Sequence, residues 1–433
     1  MSPRKDMIQR ELDVHEATNQ PASYAITLRG KKVYLPVIRV NPTLLLLNHK
    51  NNRLSGQLKD HPKRNQVEAD PESTESQKLL HSLLAKTAKF GELSKQLKQM
   101  GQEQPGLITQ EGLLVNGNTR VAALRELNID HVEVAVLTNN VTETDILDME
   151  MSLQVTDLVH QDYTFTNELL LMKRFLDAGN SEKALAKKMG WMNRGIVKVK
   201  EHMRLLSYIE EVRNLAPIPY SVFDNKKQHL KDLDDDYMRL KDQGNIDDAE
   251  SLKWTRLSMT FLNLNKDQVR AIAPDFVEKN LLPRLGGENN ETKDHLESFI
   301  ADEKEDDLDD IVGEKAPSKV DMKRYLKDLL VDDSLRTEDG DISKDLGGLH
   351  HEISFNARRA ADNIIDDKKL QSANAEPSLV LKEAKAKIVK IKQGLPLIMR
   401  DPRFKTRNFI YDVDELRKEL DALEVAIKNA DNE

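Results

Sequence analysis

The sequence predicts an α+β protein: a small α/β unit near the N-terminus followed by a predominantly helical remainder. Three observations lead there. Residues 113–127 read LLVNGNTRVAALREL, an apolar strand, a small-residue turn and a helix in immediate succession. Residues 131–137 alternate as a strand does, whereas from residue 143 onward the apolar spacing is almost entirely helical. The third is composition, 32% charged against 5% aromatic residues, which favours a helical, charge-rich chain.

Residues 1–25 read as a polar, flexible leader, and 26–142 as the α/β domain. Lys32 to Val40 has strand character, with Pro36 placing it at an edge or a start. An apolar run over 44–47 leads into a polar loop that continues to Pro71. Residues 75–100 are helical, with Leu79, Leu80, Leu83, Leu84, Leu93 and Leu97 on i, i+3, i+4 spacings. Glu111-Gly112 reads as a hairpin-like turn into the strand at 113–115.

The turn Asn116-Gly117-Asn118 carries the chemistry. Asn and Gly tolerate positive φ, so the turn is tight. It delivers the chain onto a helix start whose N–H groups lack intrahelical partners and carry partial positive charge, with the Arg120 cation beside them. Such a unit is a candidate phosphate site.

A helical segment over 143–215 contains a second pattern. The helix over 167–176 ends at Gly179; Ser181 then serves as an N-cap for a helix with Ala184, Leu185 and Met189 inward, and Gly190 turns the chain. Ala186 is small enough for two helices to cross closely, and a second helix begins near Asn193. Between 181 and 206 the bases Lys183, Lys187, Lys188, Arg194, Lys198, Lys200 and Arg204 face only Glu182 and Glu201. The chain as a whole is acidic, with net charge −9, so local sign decides where a polyanion docks.

Strand–turn–helix, following strand and basic helical pair, in that order over roughly residues 30–210, resemble the ParB family. The resemblance implies a ParB/sulfiredoxin-like domain over 26–142 and a helix-turn-helix DNA-binding domain over 143–215. In that family the turn is Gly-Glu-Arg-Arg and contacts the triphosphate of a cytidine nucleotide. Here Gly117 and Arg120 match, while Asn118 and Thr119 stand where the family has Glu and Arg. Sulfiredoxins have a catalytic Cys at the position of Asn118, and this chain has no cysteine, which excludes that chemistry. The family's later Glu-Asn-x-Gln-Arg motif aligns on Leu153-Gln154, putting Met151 at the Glu, Ser152 at the Asn and Val155 at the Arg. Glu150 lies one residue away, about 100° around a helix, and is the one weak catalytic candidate.

The resulting expectations are specific. Gly117, Asn118, Thr119, Arg120, Ser152 and Gln154 bind CTP or another NTP with Mg²⁺, and Lys187, Lys188, Arg194, Lys198 and Lys200 contact double-stranded DNA. No metal ligands are assigned to the protein itself: His350-His351-Glu352 reads as a loop-to-helix junction, adjacent histidines pointing to different sides of a helix. The function expected is a DNA-binding protein switched by nucleotide in partition, regulation or DNA defence. Alternatives are an NTP-hydrolysing enzyme or nuclease acting on DNA, and a protein-interaction scaffold.

Further on, 216–287 reads as a helical domain punctuated by prolines, 288–316 as an acidic linker, and 317–433 as a helical C-terminal region. Pro377 opens a helix running to Gln393, stopped by Gly394 and Pro396, and a second begins near Asp412 with Leu416, Leu420, Leu423 and Ile427 spaced as a short heptad seam. That hairpin either packs within the chain or makes a homodimer, and this half is also where a protein partner would bind. Without a signal-like N-terminus or a run of about 20 apolar residues, the chain is expected to be cytoplasmic, on nucleoid or plasmid, with no membrane partner.

Overall fold

The computed structural model describes residues 3–137, 141–157, 164–285, 291–300, 319–337, 340–399 and 405–430. It is α+β, and it divides into a compact unit of residues 1–361 and a second unit of 362–433. The domain limits expected at 142, 215 and 287 all fall inside the first unit.

Among the described residues six strands carry the β structure: β1 (Tyr24–Leu28), β2 (Lys31–Leu35), β3 (Val37–Val40), β4 (Gly106–Ile108), β5 (Leu114–Asn116) and β6 (Val132–Val136). β1 and β2 form an antiparallel hairpin, and the other four form a sheet of order β3-β6-β4-β5 in which only β6 and β4 run parallel. The strand expected across 32–40 is two strands in two sheets. Pro36 breaks it because it has no N–H for a ladder, although its carbonyl accepts from Val136 N at 3.0 Å.

The main sheet is covered on both faces, which is why its strands read as apolar runs. Ile108, Leu114, Val134 and Val136 pack with Leu80, Leu84, Val121 and Leu124 on one side. Leu107, Val115, Ala135 and Leu137 pack with Ile26, Leu35 and Met149 on the other. The first layer comprises α2 (Ser55–Asp60), α3 (Arg64–Ala69), α4 (Thr74–Ala85), α5 (Phe90–Met100) and α6 (Asn118–Glu126).

Two expectations change here. The leader is instead α1 (Pro3–Ala17): Ile8 is 1% exposed within the core, and Arg4 reaches the Glu111 carbonyl at 2.6 Å and the Glu72 carboxylate at 2.7 Å. One buried aliphatic side chain and two long-range hydrogen bonds hold a segment that its polar composition left unassigned. The stretch expected as a loop to Pro71 contains α2 and α3, whose Leu58 and Val67 enter the same core.

The helical remainder runs through α7 (Glu143–Asp157), α8 (Phe165–Asp177), α9 (Glu182–Lys188), α10 (Gly195–Arg213), α11 (Lys227–Asp242), α12 (Ile246–Phe261), α13 (Lys266–Ala271), α14 (Glu291–Glu297) and α15 (Met322–Val331). Thr164 caps α8 and Ser181 caps α9 through side-chain acceptors. Much of the expected acidic linker lies outside the described residues; within it, α14 is helical.

α16 (Gly348–Ile398) continues through Pro377 and Pro396, and α17 (Thr406–Ala430) starts earlier than Asp412. A helix start at Pro377 is therefore corrected. An interior proline removes one hydrogen bond, and good helix formers on either side carry the helix across it. The longer α17 adds Phe409 and Val413 ahead of Leu416, Leu420, Leu423 and Ile427, all on 4-3-4-3-4 spacing. The last four of these retain 43–53% exposure, so the seam is not covered within its own unit as an intrachain hairpin would require. No helix among the described residues is long and apolar enough to cross a membrane.

Candidate functional site

β5 enters the turn at Asn116, whose side-chain oxygen accepts from Gly117 N at 2.6 Å. Gly117 has φ +91°, and a Cβ there would stand 3.3 Å from Gly106 Cα in the neighbouring strand. Both the left-handed backbone and the close strand approach call for glycine. α6 then begins at Asn118, as the Asn-Gly-Asn chemistry predicts.

The side chains after the glycine are not equivalent. Asn118 is buried, accepting from Asn48 N at 2.8 Å and donating to the Leu114 carbonyl at 3.3 Å. Thr119 is buried with its hydroxyl 3.4 Å from the Arg53 guanidinium. Arg120 donates to the Gln104 carbonyl at 2.8 Å. Asn118 therefore fastens the turn to residue 48, and Arg53 and Arg120 supply the positive charge around the helix start.

Residues 48–53 connect this turn to α7 and α8. Asn48 and Asn51 fold the segment locally, accepting from Lys50 N at 2.9 Å and Arg53 N at 3.0 Å. Asn52, 3% exposed, donates to Glu150 Oε2 at 3.0 Å. Arg174 of α8 donates to the same oxygen at 3.2 Å, to Asn52 Oδ1 at 3.0 Å and to the Lys50 carbonyl at 2.8 Å. Burial pushes the Glu150 carboxyl up to about 7, against the opposing pull of Arg174 and Asn52. His49 lies beside this cluster; burial and then Lys50 lower its pKa, and its Nδ1 is buried without a hydrogen-bond partner.

Glu150 is thus aimed at residues 52 and 174, whereas Ser152, about 200° further around α7, faces the other way. Ser152 donates to the Asp148 carbonyl at 2.8 Å and accepts from Lys188 Nζ at 2.8 Å. The structure does not bring it to the turn. Gln154 belongs to α7, but its side chain lies outside the described residues. Met151, at the aligned position of the family's Glu, is fully buried against Leu171, Phe175, Leu185 and Val199.

The basic pair is α9 and α10, joined by residues 189–194, and α10 starts at Gly195 rather than near Asn193. A Cβ on Gly195 would sit 2.7 Å from Ala186 Cβ, so these two small residues set the crossing. Trp191 packs on His202 with ring centroids 4.9 Å apart, and Lys198 Nζ lies 5.8 Å from the indole. Lys187, Arg194, Lys198 and Lys200 are exposed, Lys200 within 3.9 Å of Glu182. Lys188 differs: it turns inward to Asp148 Oδ1 at 2.7 Å and joins α9 to α7. Met192, Ile196 and Val197 are exposed beside the four outward cations.

Asn48, Asn52, Arg53 and Arg174 escaped sequence reading. The dense polar run over 48–53 and the Lys173-Arg174 pair directly after the apolar run Leu169–Met172 of α8 were the available signals.

No protein-family model and no curated protein matches the chain. Among solved structures, it is similar to the C-terminally truncated chromosome-partitioning protein ParB from Caulobacter crescentus complexed with CTP-γ-S, at 16% identity and TM-score 0.18, covering 46% of this chain and 92% of that one. It is also similar to a Pnob8-like ParB-N domain, at 13% identity and TM-score 0.27, covering 60% of this chain and 88% of that one. At these values neither likeness assigns a function.

Proposed function

We propose that the protein binds duplex DNA through α9 and α10 and that a phosphate-bearing nucleotide at residues 117–120 modulates this binding. The observation that carries the reading is a continuous set of contacts between the two places. Thr119 touches Arg53; Asn52 of the same short segment bonds Glu150 of α7; and α7 holds α9 through Asp148, Ser152 and Lys188. A ligand that draws Arg53 toward its phosphates perturbs α7 and, through it, the DNA-facing pair. Gly117, Asn118, Thr119 and Arg120 form the ligand turn, with Arg53 added. The sequence resemblance makes CTP with Mg²⁺ the first nucleotide to test, with ATP and GTP beside it.

Calorimetric titration of these nucleotides with Mg²⁺, with and without duplex DNA, tests the reading. Saturable binding of one nucleotide, weakened at least about tenfold by Arg120→Ala or Arg53→Ala, is expected. DNA binding with no response to any nucleotide refutes the modulation. The four outward cations predict a steep salt dependence, and replacing any one of Lys187, Arg194, Lys198 or Lys200 by Ala should reduce the log–log salt slope by about 1. Gly195→Val inserts methyl groups where a Cβ alone meets Ala186 at 2.7 Å. It is expected to destabilise the fold by about 1–3 kcal/mol and to abolish DNA binding, as read by chemical denaturation and a mobility shift.

The second reading, an NTP-hydrolysing enzyme, is favoured by one observation: Glu150 combines burial with a pKa near neutrality. A metal-dependent nuclease is less well supported, because Asp145, Asp148 and Glu150 diverge to Arg29, Lys188 and Asn52–Arg174 respectively. For the C-terminal unit we favour a homodimer through the α17 seam over a scaffold for another protein. Leu416→Asp with Leu420→Asp is then expected to convert dimer to monomer in sedimentation equilibrium.

A further inference from the structure

His350, set aside as a ligand in the sequence, meets two partners in the fold that spacing could not reveal. His295 of α14, Asp328 of α15 and His350 in the first turn of α16 each bring one ligand atom to within 4.8 Å of the others. His295 Nε2 is buried without a hydrogen-bond partner and stands 3.8 Å from Asp328 Oδ2. His350 is half-buried beside His295, their ring centroids 5.7 Å apart. Its Nδ1 lies 3.1 Å from the hydroxyl of Tyr325, a fully buried residue that steadies the ring. Phe299 stacks edge-on against His295 with centroids 5.3 Å apart, so the ring is held from that side too.

We propose that His295, Asp328 and His350 bind one divalent transition-metal ion, zinc foremost, and that the ion joins α14, α15 and α16. Two imidazoles and a carboxylate are a nitrogen–oxygen donor set suited to zinc, which also accepts a water in a fourth position. Ligand atoms around a tetrahedral zinc lie about 3.3 Å apart, from metal–ligand distances of about 2.0–2.1 Å. The His295–Asp328 separation is already close to this, and small side-chain rotations bring in the third ligand. The helices are otherwise bridged by the hydrogen bond from Thr292 of α14 to Glu352 of α16, which holds the ligands' backbones near one another before metal arrives. His351 is exposed on a different side of α16 and takes no part.

The test uses the full-length protein, free of any histidine tag and stripped with chelator. Zinc is titrated by calorimetry, unfolding temperature is followed with and without zinc, and cobalt is substituted to read coordination from its visible absorption. One zinc per chain, a raised unfolding temperature and the intense bands of low-coordinate cobalt are expected. Asp328→Asn, at an exposed position that leaves the fold intact, should weaken zinc at least about tenfold; His350→Gln should do so more strongly, and His351→Gln should change nothing. Absence of zinc binding to the wild-type chain overturns the proposal, as does wild-type affinity in Asp328→Asn. The cobalt spectrum and Asp328→Asn keep the test decisive should His350→Gln fail to fold.

Discussion

Asp234→Ala is expected to destabilise the protein by about 3–5 kcal/mol, the largest effect of any single substitution considered for this fold. The Asp234 side chain is 2% exposed on α11 and accepts both forks of Arg204 from α10, each at 2.7 Å, and the Tyr208 hydroxyl at 2.9 Å. Truncation leaves a guanidinium and a buried phenol without their acceptor, and the loss is of that unpaired kind rather than of one weak surface bridge. Arg204 retains 33% exposure and can turn to water, which places the cost toward the lower end of the range. Urea denaturation of Asp234→Ala beside Tyr208→Phe checks this, the latter costing only about 1 kcal/mol. Equal small losses in both would show that the cluster is not a stabilising one. Because α10 carries two of the outward cations, the proposed DNA binding should also loosen without loss of any charge from that surface.

Glu150→Gln is expected to abolish most of a pH dependence that the wild type shows between about pH 4.5 and 8. The folded carboxyl titrates near 7, against the ordinary value of 4.5, because burial disfavours its charge. A raised carboxyl pKa means that the fold prefers the protonated group. Its stabilising contribution is complete below pH 4.5 and is lost as the pH rises through 7. At most this amounts to about 3 kcal/mol, taking 1.36 kcal/mol per pH unit. The amide is neutral throughout and can still accept from Asn52. Wild type and variant should coincide below about pH 4.5, diverge between there and pH 7, and differ by a constant amount above it, the variant being more stable in denaturation midpoints at pH 8. A variant less stable than wild type at pH 8 would mean that the ion pair with Arg174 outweighs burial. If the enzymatic reading is correct, the same substitution removes nucleotide hydrolysis while sparing binding.

The parts of this molecule that were legible in sequence are those governed by local chemistry. Asn116-Gly117-Asn118 demanded a tight turn, and β5, Gly117 and α6 follow it; Ser181 demanded a cap, and α9 begins after it. What escaped depends on partners distant in the chain. Nothing in residues 3–17 announces that Ile8 will enter the core, because the surface it covers belongs to other segments. Glu150 looked misplaced by about 100° on an alignment, yet Asn52 and Arg174, about 98 and 24 positions away, give it a specific environment. Ser152 looked like a ligand and is held by Lys188, which itself looked like a phosphate contact. Pro377 looked like a helix start because the same residue serves at a first turn and, less often, within a long helix. The His295–Asp328–His350 grouping is the extreme case, being formed only by the packing of three helices.

The contact of Gly195 with Ala186 carries a consequence for how this protein can vary over evolutionary time. The two positions share a single small volume, so neither can be read as an independent site. A descendant that gains a methyl group at 195 must surrender one at 186, and the reverse exchange is the natural second step. Ala186→Gly paired with Gly195→Ala should therefore be tolerated where Gly195→Ala alone is not. Lineages carrying this helical pair should show the two columns changing together, a coupled signature readable from sequence alone.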